Sequence, residues 1–277
     1  MDDKRLTRVR LGEGVDRAAV DRADWAKRSD HPLQNQAVQT AEIRPSDFLQ
    51  QWEGFGGAVS EIGAEAVMGM PADSQKRFFR MVFGAEGLAM QWVRLPVGSS
   101  DFARDAYSYA DHPEDLALEH FSIERDRQAI IPYLKEALRI NPDLRIYASP
   151  WSPPGWMKFS GKRDGEADGT LRDEKKIRKA YARYLRLFTE AYAAEGLPIA
   201  RLMVQNEMDS QAPFPSCAWN PGDFVRFHLD YLRPEWEAGG CEAEIWAGTF
   251  RSITGLQELA CLDEPEFRRF VRGVGVQ

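Results

Sequence analysis

At 277 residues, with 43% hydrophobic and 29% charged side chains, the chain has the composition of a globular protein and enough length to bury a core without a metal or disulfide staple. A net charge of −7 with no compact basic patch weighs against nucleic acid as a partner, since phosphate binding needs clustered Lys and Arg. The N-terminus is polar, and nowhere do about 18 apolar residues run together, so the sequence reads as a cytoplasmic chain with no membrane span and no signal peptide.

Short apolar runs alternate with longer amphipathic ones. After a charged leader, QAVQTAEIRP (36–45) reads as an exposed strand, and residues 1–45 form a leader distinct from 46–277. QQWEGFGGAVS (50–60) is a short strand with a glycine-rich exit. A helix over 72–83 stops near Gly84 and Gly87, and a strand over 88–98 ends at Pro96. The next helix, 125–140, carries Ile130, Leu134 and Leu138 on one stripe. It must hold Pro132 in or near its first turn, because an interior proline costs roughly 3 kcal/mol.

A third strand, DLRIYASP (143–150), is followed by a long helix over 173–195. In that helix Ile177, Tyr181, Tyr184, Leu185, Phe188 and Tyr192 keep helical spacing, and Gly196 and Pro198 end it. A fourth strand over 200–206, a helix over 222–238, a fifth strand over 242–250, a short helix near 264–271 and a sixth strand over 271–277 complete the pattern. Strands alternating with helices imply parallel pairing through right-handed crossovers. A doubly wound sheet wants a GxGxxG turn, which GFGGAVSEIG does not supply. A (β/α)8 barrel gathers polar residues where its strands end. The strands here exit through GSSDF, SPWSPPGW and QNE, which favours the barrel.

Cys217, Cys241 and Cys261 form no CxxC pair, and the four histidines show no HxH or HExxH spacing, so neither a zinc site nor metal hydrolysis is expected. The chemistry concentrates instead at the strand ends. Glu207 alone is compatible with a surface charge, but Asn206 beside it is an amide able to donate to a hydroxyl. Trp151 and Trp156 sit in a proline-stiffened loop that suits a sugar, although Trp156 can equally be loop core. Asp101 follows Gly98, Ser99 and Ser100, and reads either as a carboxylate for vicinal hydroxyls or as a helix N-cap.

EGFGGAVSEIG (53–63), RLPVGSSDFARDAYSYAD (94–111), FSIERD (121–126), YASPWSPPGWMK (147–158) and VQNE (204–207) occur in that order, and together they resemble glycoside hydrolase family 30, the group that includes glucosylceramidase. The resemblance covers about residues 50–277. It implies a (β/α)8 TIM barrel with an attached β-sandwich, which the N-terminal segment would join, and retaining hydrolysis of β-glycosides, here of β-glucosyl units, with no metal or organic cofactor. It implies that Glu207 is the general acid/base, that Asn206 contacts the 2-hydroxyl, that Asp101 and Trp151 hold other hydroxyls, and that Arg94 braces the carboxylates.

The resemblance also calls for a nucleophilic glutamate after a seventh strand, and nothing in this sequence matches it. The chain is therefore expected to be an incomplete barrel of about six strands, a truncated product or fragment inactive by itself. The alternative is a carbohydrate-binding remnant without catalysis. Glu53, Glu61 and Asp101 lie near the expected active face, but none stands at the nucleophile's place. After VQNE the family commonly has proline, whereas Met208 and Asp209 follow here.

Overall fold

The computed structural model describes residues 8–10, 40–42, 52–166, 168–251 and 258–277. Two units separate at Glu53 and Gly54. In the first, Arg8–Arg10 pairs antiparallel with Thr40–Glu42. The expected strand over 36–45 is thus a strand at 40–42, and its other residues lie outside the described ones.

In the second unit, five strands pair in parallel in chain order. They are β1 (Gly56–Ala58), β2 (Trp92–Val97), β3 (Arg145–Pro150), β4 (Ile199–Met203) and β5 (Glu244–Trp246). After a break at Ala247 and Gly248 the fifth stave resumes as β6 (Thr249–Phe250), which pairs in parallel with β7 (Gly275–Val276). The order never reverses. A doubly wound sheet requires a switch point, so consecutive parallel pairing is the barrel's signature. Six staves are present among the described residues, the number of strands expected.

The outer helices follow from amphipathic spacing. On α4 (Lys175–Ala194) Ile177, Tyr181, Tyr184, Leu185, Phe188 and Tyr192 are all fully buried. On α2 (Ala72–Phe83) Phe79 and Phe83 face inward and pack with Tyr133 of α3 (Ile130–Ile140). Pro132 is the third residue of α3, where its missing N–H has no helical acceptor to lose.

One helix was not anticipated. Glu61–Met68 forms α1 directly after β1, with the Ser60 hydroxyl accepting from the Gly63 amide as an N-cap. Gly63 lowers the local helix propensity, and the sequence pattern assigns no element to these residues. The strand there is also shorter than 50–60, because Gly56 and Gly57 offer no side chain to pack.

The helix expected over 222–238 is three pieces. Pro221–Phe227 (α5) widens into a π turn over His228–Leu232 and continues as Arg233–Gly239 (α6). His228 is fully buried in this turn, edge-on to Phe224 and Phe267, with Nδ1 2.7 Å from the Phe224 carbonyl. Burial draws its pKa down to about 4. The unfolded chain takes up this proton near pH 6.5 and the folded one does not, so stability is fully present above 6.5 and lost as pH falls towards 4. At 1.36 kcal/mol per pKa unit, the loss across that window is about 3 kcal/mol. Urea midpoints from pH 7 to 4 should fall less steeply for His228→Phe than for the unmodified protein.

Candidate active site

Parallel strands place all their C-terminal ends on one side, so the segments after β2, β3 and β4 share one face. That is why residues as far apart in sequence as Arg94 and Thr249 meet. Arg94 points inward from the middle of β2 and is half-buried. Its Nε and Nη2 donate to the Ser149 hydroxyl at 3.2 and 3.0 Å. Nη2 also donates to Asn206 Oδ1 at 2.5 Å and to Thr249 Oγ1 at 3.3 Å. The guanidinium lies 4.5 Å from the Trp151 ring centroid, a cation–π contact. Burial lowers the Arg94 pKa, and the negative charges of Glu207 and Asp101 partly restore it. The arginine therefore feels both carboxylates at once.

Asn206 is 4% exposed, and its Oδ1 gathers further donors from the Thr249 hydroxyl at 3.1 Å and Gln277 Nε2 at 2.6 Å. Three donors on one oxygen fix the amide's orientation. The Nδ2 group, the other end of the same amide, carries its N–H donors. Gln205, fully buried, donates to the Trp151 carbonyl at 2.7 Å and accepts from Trp219 Nε1 at 3.2 Å, so the amide before Asn206 locks the Trp151 loop to the loop after β4.

Glu207 is half-exposed and sits at φ 48° in the left-handed region, unusual for a residue with a side chain. Its amide donates to the Thr249 carbonyl at 2.8 Å and its carbonyl accepts from Ser210 at 2.9 Å. Backbone held in a sparsely populated conformation by bonds on both sides is a feature that concentrates at functional sites. Met208, where the family commonly has proline, is fully buried, and its carbonyl accepts from the Trp219 amide at 2.7 Å. Asp209 pairs with Arg251 beyond the fifth stave. The altered residues thus brace the turn that carries Glu207.

Asp101 is exposed in a turn that starts no helix, which removes the N-cap reading. Trp151 is half-buried against Arg94. Trp156 donates from Nε1 to the Ala110 carbonyl at 2.8 Å, and its ring lines a cavity of about 480 Å³ with Arg163, Lys162 and Phe214. Glu61 is not an available nucleophile. Arg125 holds both its oxygens, at 2.6 and 3.2 Å, and the Arg104 amide adds a third bond.

Ser149, Thr249 and Gln277 join the site without having been singled out in the sequence. Each is a polar residue near a strand's C-terminal end, and that position was the available signal. Their type alone was not, because Ser and Thr are common throughout the chain.

A model of the glycosyl hydrolase family 30 TIM-barrel domain matches residues 52–222. The chain is 32% identical over 243 residues to the lysosomal acid glucosylceramidase of Mus musculus, covering 84% of this chain and 47% of that protein. It is 28% identical over 243 residues to an endo-1,6-β-D-glucanase of Trichoderma harzianum, covering 83% and 47%. The crystal structure of SrfJ from Salmonella typhimurium matches with a TM-score of 0.76 at 27% identity, over 88% of this chain and 57% of that one. The matched part is less than half of either curated relative. With the family model spanning more than half of its residues, and with a barrel of the same fold, the chain belongs to glycosyl hydrolase family 30.

Proposed function

We propose that this protein acts on β-glycosides with retention of configuration, on a β-glucosyl unit, with Glu207 as general acid/base. The observation that carries the reading is the network through Arg94. It holds Asn206 by its Oδ1, immediately before a carboxylate in a tied left-handed turn, and stacks on Trp151. Retaining hydrolysis needs an acid to protonate the leaving oxygen and a second carboxylate about 5–5.5 Å away to attack the anomeric carbon. Glu207 supplies the first and then serves as base for water. Asn206 Nδ2 donates to the 2-hydroxyl, a contact that strengthens as the oxocarbenium-like transition state develops. Asp101 accepts from hydroxyls at the far side of the ring. A glucosyl unit is common to the names of the two curated relatives, glucosylceramidase and 1,6-glucanase, which supports glucose as the sugar.

Among the described residues no glutamate stands at the end of a seventh strand, so this reading assigns to residues 54–277 the sugar-binding and proton-transfer half of the chemistry. The test is the product formed from an aryl β-glucoside with azide present. Release of β-glucose means that the protein provides both carboxylates. Formation of α-glucosyl azide means that azide has replaced the attacking carboxylate in a site otherwise working as proposed. Sugar binding without either product supports the carbohydrate-binding alternative, and neither binding nor turnover refutes the assignment.

A further inference from the structure

Two cations are buried in the loop after β3, and neither forms a salt bridge among the described residues. Lys158 is 2% exposed, and its Nζ donates to the carbonyls of Arg163 at 3.0 Å, of Ser216 at 2.7 Å and of Asp164. All three ammonium hydrogens are thereby used. Arg163 is 6% exposed, with Nε donating to the Ser99 hydroxyl and Nη1 to the Pro153 carbonyl, both at 3.2 Å. The Ser99 hydroxyl in turn donates to the Tyr107 carbonyl at 2.9 Å and accepts from the Tyr107 amide at 3.0 Å. Gly98, at φ 77°, lets the guanidinium approach, since a Cβ there would stand 3.2 Å from Nη2.

These bonds join specific segments. Ser99 lies two residues before Asp101. Pro153 lies two residues after Trp151. Ser216 belongs to the loop that starts at Glu207, and its amide returns a bond to the Arg163 carbonyl at 3.0 Å. Gly165 donates to Ala212 at 2.8 Å, extending the seam between the second and third of these loops. Arg163 Nη2 is buried without a hydrogen-bond partner among the described residues. A buried charge held chiefly by carbonyl and hydroxyl dipoles is costly to keep, and an apolar residue of similar volume could fill the same space. Loops after barrel strands have no sheet to hold them, so something must set their mutual distance.

We infer that Lys158 and Arg163 are positioning residues, forming a buried clamp that fixes the three sugar-facing loops relative to one another. This rests on the function proposed above. The two members act on different pairs of loops. Arg163 couples the Asp101 loop to the Trp151 loop, both of which hold the sugar. Lys158 couples the Trp151 loop to the one that carries Glu207, and so sets the acid's distance from the bound sugar.

The roles separate by experiment. For Lys158→Met, turnover of an alkyl β-glucoside, whose leaving group needs a proton, falls about 10- to 100-fold, the cost of a misplacement near 1 Å. Turnover of 2,4-dinitrophenyl β-glucoside, which leaves unassisted, and affinity for a glucose-mimicking inhibitor stay within about 2-fold. For Arg163→Met the inhibitor binds about 10-fold more weakly and the ratio of the two turnover rates is unchanged, while Arg163→Lys recovers part of the affinity. All assays contain azide, and Glu207→Gln is run in parallel. If Glu207→Gln lacks the leaving-group dependence, the function assignment fails; if it shows it and Lys158→Met does not, only the clamp fails. Equal loss on both substrates in Lys158→Met overturns the clamp as well. Should that variant not fold, amide hydrogen exchange on the unmodified chain decides. Ser216 and Gly165 amides protected as strongly as those of β3 support the clamp, and fast exchange at both overturns it.

Discussion

Replacing Glu207 with Gln should lower turnover of an alkyl β-glucoside by about 10²- to 10⁴-fold, the usual contribution of a positioned general acid. Gln has nearly the same shape but no proton to give, so the change isolates proton transfer from packing. The dependence on leaving group distinguishes this effect from simple damage. A 2,4-dinitrophenolate departs without protonation, so its release should change far less. Inhibitor affinity should also persist, because Arg94, Asn206, Asp101 and Trp151 are untouched. Uniform loss across leaving groups would show that the side chain acts by some route other than proton donation.

Arg94→Met should be the most damaging single change to the site's architecture. It removes the donor shared by Ser149, Asn206 and Thr249. A buried acceptor left unsatisfied costs about 1–3 kcal/mol, so a stability loss of about 2 kcal/mol or more is expected in urea denaturation. Asn206 Oδ1 retains Thr249 and Gln277 as donors, so the amide loosens rather than flips. The cation whose charge Glu207 and Asp101 both feel disappears too. Sugar affinity should fall at least 10-fold by calorimetric titration, equivalent to about 1.4 kcal/mol. Arg94→Lys should not restore it, because one ammonium cannot reproduce a planar fork that reaches three acceptors and covers the Trp151 ring. Full affinity in the lysine variant would show that charge alone is what matters there.

The periodicities made much of this arrangement legible. The buried stripe of α4 and the six strand positions follow from apolar spacing, which the core enforces. The break at His228 escaped because a π turn inserts one residue without altering the apolar pattern around it. Helix α1 escaped because Gly63 argues against helix, while its Ser60 cap and tertiary burial of Ala64 and Val67 outweigh it. At the site, Asp101, Trp151, Asn206 and Glu207 were visible as polar or aromatic residues near strand ends and as parts of a family pattern, and Arg94 through the family pattern alone. Lys158 and Arg163 were not, since nothing in a sequence shows that a lysine will be buried. Their partners are mostly backbone carbonyls, and every residue carries one. Only the folded loops show which carbonyls converge.

The most direct measurement is a structure of this chain with a β-glucoside or glucose-mimicking inhibitor bound. The account predicts the pyranose beside Trp151 with Asp101 on its far hydroxyls. Asn206 Nδ2 should lie on the 2-hydroxyl, and the Glu207 carboxyl about 2.6–3.2 Å from the glycosidic oxygen. A sugar seated elsewhere on the barrel, or one lying here with Glu207 turned away from that oxygen, contradicts it.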